Sequence, residues 1–173
     1  MKYQDDLEAA QAPVNGAADA PRLAGANINP ATGLATDYLN HFNEAIMLLE
    51  MLPGCPDCLA DFLGWRPMSY REHFQASRFK GRDLAIAAYE AADPKLRNGL
   101  DILAGTMTAV LEAAREKLND NISPEAAVRL ANRTAEWLKP LVARAGALIN
   151  GETDAGLHEP MMPQAVADGL MKR

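Results

Sequence analysis

Residues 34–52 read LATDYLNHFNEAIMLLEML, and this stretch decides the fold class. Leu34, Tyr38, His41, Ala45, Leu48 and Leu52 recur at spacings of four and three, with Ala35, Leu39, Phe42, Ile46 and Leu49 beside them. Two adjacent apolar seams of that period predict a helix over residues 32–52, buried against several neighbours at once. One polar side chain, His41, stands inside the apolar face.

Downstream, Pro53-Gly54 turns the chain into Cys55-Pro56-Asp57-Cys58, with Pro56 placed for the first turn of a short second helix that stops near Gly64. Ser69-Tyr70-Arg71-Glu72 has the spacing of a capping box, which predicts a third helix from residue 69 to about residue 92, weakest at Gly81. Asp93-Pro94 stops that helix and starts the next as an N-cap followed by proline. Leu96, Leu100, Leu103, Met107, Val110, Ala114 and Leu118 then hold one stripe. Ser123-Pro124-Glu125 begins a last helix to about residue 149, in which Pro140 removes a backbone donor and should bend or divide it. No segment alternates as a strand does. The expected fold is all-α: an antiparallel four-helix bundle with one extra short helix over residues 32–150, flanked by irregular arms at 1–31 and 151–173.

Composition narrows the class. The chain has 173 residues, 49% of them hydrophobic, and 17 basic against 23 acidic side chains for a net charge of −6. The length suits one domain with a real core, and the acidic balance argues against nucleic acid as the main partner. No apolar run approaches the ~18 residues of a membrane span. The start, Met1-Lys2-Tyr3-Gln4-Asp5-Asp6, lacks the basic and apolar regions of a signal peptide. A cytoplasmic location with both cysteines free is therefore expected.

Three groups of residues could carry chemistry. Cys55 and Cys58 form a Cys-x-x-Cys at a helix start, the arrangement of a redox pair. The all-helical alkylhydroperoxidase family is similar in carrying such a pair on a helix, with a histidine four residues after the second cysteine. That position is Phe62 here, so the family's proton relay is absent. Asp37, His41 and Glu44 lie on adjoining turns, and with His73 they offer a carboxylate–imidazole set for iron, manganese or zinc. Trp65, Tyr70, Arg71, Phe74 and Arg78 interleave aromatic planes with guanidinium groups, which suits an anionic ligand or a protein interface.

No phosphate-cradling glycine loop, nucleophile elbow or zinc-protease motif occurs. The expected function is non-catalytic binding of a small ligand or protein partner, in a regulatory role. The alternative is a metal- or thiol-dependent redox enzyme on the same bundle. No particular cofactor is indicated. An aromatic cluster near one end of the bundle predicts a homodimer through the third helix or the Trp65 loop.

Overall fold

The computed structural model describes residues 19–152. Its regular structure is helical, with no strand among the described residues. In chain order the helices are α1 (Ala20–Gly25), α2 (Asn40–Met51), α3 (Cys58–Gly64), α4 (Tyr70–Ala76), α5 (Arg82–Ala91), α6 (Pro94–Asn119) and α7 (Pro124–Ile149). A 3₁₀ turn, Thr36–Leu39, leads into α2.

The two long helices are the frame, and their ends follow from local chemistry. Asp93 Oδ1 accepts from the Lys95 N–H at 2.7 Å with Pro94 next in line, and Ser123 Oγ accepts from the Ala126 N–H at 3.2 Å ahead of Pro124. Each helix has 26 residues, or about 39 Å at 1.5 Å per residue. The short Asp120–Ser123 link sets them antiparallel. Leu100, Leu103, Met107, Val110, Leu111, Ala114 and Leu118 of α6 are buried, as are Ala131, Thr134, Leu138, Ala145 and Leu148 of α7. Helix α2 packs on α7 and α3, α3 also touches α6, and α4 packs on α5. None of the described helices is long and apolar enough to cross a membrane.

Several expectations are corrected. The third helix does not run from 69 to 92. The Ser77 hydroxyl donates to the Phe74 carbonyl at 3.0 Å and accepts from the Phe79 N–H at 3.3 Å, so its side chain competes with the helical ladder. The chain breaks there and restarts at Gly81, dividing the segment into α4 and α5. The first helix begins at Asn40 rather than Thr32, because Gly33 takes a left-handed φ of 72° and the Thr32 hydroxyl is drawn to the Ile149 carbonyl at 2.6 Å. The N-terminal arm is not irregular throughout: α1 forms behind Pro21, and Leu23 and Ile28 enter the common core. Residues 1–18 and 153–173 of the two arms lie outside the described residues.

Pro140 leaves α7 undivided. Both Pro140 and Glu136, whose carbonyl loses its partner, are exposed, so the freed carbonyl lies on the solvent side of the helix.

Two glycines give opposite expectations. A Cβ on Gly33 would sit 2.9 Å from the Ala88 carbonyl oxygen, on a backbone that side-chain-bearing residues rarely adopt, whereas a Cβ on Gly105 of α6 would meet nothing within 4 Å. In urea unfolding, Gly33→Ala should lose about 1–3 kcal/mol and Gly105→Ala should gain about 0.5–1 kcal/mol. Equal effects would contradict the turn geometry at residue 33.

Candidate functional site at the Trp65 turn

Helix α3 cannot run past Gly64. Pro67 restricts Arg66 to extended backbone, and Trp65 leaves the helix with ψ of 141°. The Trp65 N–H closes the helix by donating to the Asp61 and Phe62 carbonyls, each at 3.1 Å. The turn then drives the indole into the core.

There the indole stacks on the His41 imidazole, with centroids 4.6 Å apart and planes at 23°. Its Nε1–H donates to the His41 carbonyl oxygen at 3.1 Å. His41 is 4% exposed and its Nε2 has no hydrogen-bond partner, while its ring also meets the Arg66 backbone. Burial, helped by the nearby His73 ring, lowers the His41 pKa to about 4. His73 is lowered too, by burial, although the Asp37 carboxylate and backbone pull it back up. The two imidazole centroids are 6.1 Å apart. Both rings are thus built to stay neutral.

The candidate metal ligands are not gathered. His41 and His73 are neighbours and Asp37 lies beside His73, but Glu44 is exposed on the outer side of α2. No three His, Cys, Asp or Glu side chains among the described residues are grouped as a metal ion requires.

The aromatic residues expected to contact a ligand lie in the core. Trp65, Tyr70 and Phe74 are all buried. Tyr70 stacks on Tyr89 at 4.5 Å and 14°, and its hydroxyl accepts from the Ala35 N–H at 3.0 Å. Tyr89 donates to both Asp101 carboxylate oxygens at 2.8 Å, and burial together with that bond pushes its hydroxyl up to about 12. Arg71 pairs with Glu90 on the surface, and Arg78 is exposed. An interface resting on those aromatics therefore has no exposed ring to present. Among the described residues, the large apolar side chains that do reach solvent are Met47, Met51 and Ile102.

Two other arginines converge. The Trp65 carbonyl oxygen accepts from Arg66 Nη1 at 2.8 Å and from Arg115 Nη1 of α6 at 3.0 Å. Arg66 Nη1 also reaches the Leu63 carbonyl at 2.7 Å. Outside this turn lies an open groove of about 680 Å³, lined by Leu63, Arg66, Ala109, Glu112, Ala113, Arg115, Glu116 and Asn119. Glu112 approaches Arg115 at 3.8 Å, whereas Arg66 is held by carbonyls alone among the described ion pairs. Arg115 escaped the sequence reading because it is fifty positions from Trp65. Its one signal is its place at the edge of the buried stripe, four residues after Leu111.

The cysteines are not free. Cys55 and Cys58 are joined in a disulfide with Cα atoms 5.5 Å apart. The Pro56-Asp57 turn, closed by the Cys58 N–H to the Cys55 carbonyl at 3.0 Å, brings them together. A cross-link over so short a loop constrains the unfolded chain by only about 2 kcal/mol.

The neutral state of His41 sets a pH dependence. In the unfolded chain it takes up a proton near pH 6.5, while the fold refuses it down to about pH 4. This group leaves stability unchanged above 6.5 and removes up to about 3 kcal/mol as pH falls from 6.5 to 4. Urea unfolding at pH 7 and pH 4.5 should show a markedly larger acid loss in the wild type than in His41→Phe, which keeps His73 and a ring against Trp65. Identical losses would contradict a buried neutral His41.

No protein-family model matches the chain, and no curated protein or solved structure is detectably similar to it, so the geometry alone bears on function.

Proposed function

We propose that the protein is a non-catalytic, helical-bundle binding protein whose small-molecule ligand presents a carboxylate or phosphate to the groove beside the Trp65 turn. The observation that carries this reading is the convergence of Arg66 and Arg115 on one carbonyl oxygen at the groove wall. Two guanidinium groups held together repel one another unless an anion or a negative dipole lies between them. Glu112 pairs with Arg115 at 3.8 Å, but Arg66 has only carbonyls set against its charge. Each guanidinium has five N–H donors, and the Trp65 carbonyl engages only one from each. The remaining donors of Arg66 can take a carboxylate or phosphate in bidentate fashion, with Arg115 adding its charge alongside.

The floor of the groove suits a small ligand. Ala109 and Ala113 leave space where larger residues would fill it, and Leu63 supplies an apolar contact. Glu112 and Glu116 line the same groove and disfavour a purely anionic occupant. They favour a ligand that carries a hydrogen-bond donor or a cationic group next to its anionic end. Nothing in the arrangement pairs a nucleophile with a base, which supports binding rather than turnover.

Thermal unfolding in O-phosphoethanolamine, which carries an ammonium group beside its phosphate, against chloride at matched ionic strength, tests the reading. A saturable rise in Tm of about 5–10 °C is expected at a hundredfold excess over Kd. Arg66→Gln, an exposed change, should remove at least about half of it. A rise that never saturates, or one that is equal in the variant, would contradict an anion site at the groove.

A further inference from the structure

We infer that the Cys55–Cys58 pair is an exchangeable dithiol–disulfide couple that accepts electrons from the dithiol of a redox protein, with Cys55 as the attacked sulfur. The inference stands apart from the groove. Three observations carry it.

The first is the small ring. A disulfide that holds a fold together usually closes a long loop, whereas this one spans a sequence separation of three. The turn it closes is already held by backbone bonds: the Gly54 and Cys55 N–H groups both donate to the Met51 carbonyl, at 3.0 and 2.9 Å, and the Cys58 N–H donates to Cys55. Those bonds do not involve sulfur and persist when the cross-link opens. Phe62, one turn further along α3, is buried and anchors the helix independently.

The second is asymmetry. Cys58 is 5% exposed, while Cys55 is half-buried and opens to solvent. An incoming thiolate meets the more exposed Cys55 before the buried Cys58, which gives the exchange a direction.

The third is the surface around the reachable sulfur. Met51, Pro53, Gly54 and Pro56 are exposed and uncharged, with the exposed carboxylates of Glu50 and Asp57 at either end. An apolar centre with acidic ends suits a partner that presents its thiolate beside basic side chains.

The step balances. A thiolate of the partner attacks Cys55 Sγ, the Cys55–Cys58 bond breaks, and Cys58 leaves as a thiolate that takes up a proton. The partner's second thiolate then attacks its own sulfur in the mixed disulfide, displacing Cys55 as a thiolate that is protonated in turn. The partner dithiol ends as a disulfide and this chain as two thiols, a two-electron transfer with no other reactant.

The test uses the full chain and dithiothreitol as the dithiol. Under native conditions, alkylation followed by intact-mass measurement should count two released thiols. Helical circular dichroism should be unchanged and Tm should fall by less than about 10 °C. Oxidised dithiothreitol should close the disulfide again. In the single variants, 5,5′-dithiobis(2-nitrobenzoate) should react at least about tenfold faster with Cys58→Ser, which leaves Cys55, than with Cys55→Ser. A disulfide that resists dithiothreitol until the chain unfolds, loss of helix on reduction, thiols that do not re-pair, or equal rates in the two variants would each overturn the inference. The wild-type arms decide the matter even where a variant fails to fold.

Discussion

The indole of Trp65 is held from both sides, and the arrangement of the first half of the molecule depends on it. Its ring is stacked on His41 and hydrogen-bonded to the His41 carbonyl, which ties the end of α3 to α2. Its own carbonyl accepts from Arg115, which ties the same turn to α6. One residue thus joins three helices by a buried stack, a buried hydrogen bond and a half-buried one. The short helices α3 and α4 have seven residues each and could not persist alone. They stay helical because Phe62, Trp65, Tyr70 and Phe74 bury their rings in the shared core.

The interior and the groove are therefore two faces of one turn. Inside, burial lowers the pKa of both His41 and His73, and the His73 ring adds to the effect on His41. Outside, the carbonyl of the same Trp65 gathers two guanidinium groups at the groove wall. A shift of the indole would move that carbonyl and spread the arginines. The disulfide at the other end of α3 lies apart from both, in a turn that carries its own backbone bonds.

Much of the fold was legible in the residues because the signals were local. Asp93-Pro94 and Ser123-Pro124 mark the starts of α6 and α7 by chemistry that acts within three residues, and the apolar stripe of α6 is uninterrupted. The break between α4 and α5 was only half legible: Gly81 was visible as a weakness, but the Ser77 hydroxyl turning back on Phe74 is a choice between two local hydrogen bonds that period alone does not decide. The shortened α2 depends on contacts from α5 and α7, through Ala88 and Ile149, which no local pattern contains. The candidate site fared worse for the same reason. Aromatic and basic residues interleaved over residues 62–82 look alike whether the rings face solvent or the core. The pairing of Arg66 with Arg115 spans fifty positions.

The two tryptophans offer the most direct measurement of this account. Trp65 pins three helices, whereas Trp137 of α7 is half-buried at the edge of the core. In urea unfolding at pH 7, Trp65→Leu should lose at least about 3 kcal/mol and Trp137→Leu less than about 1.5 kcal/mol. Equal losses, or a larger loss at Trp137, would contradict the central role of the Trp65 turn.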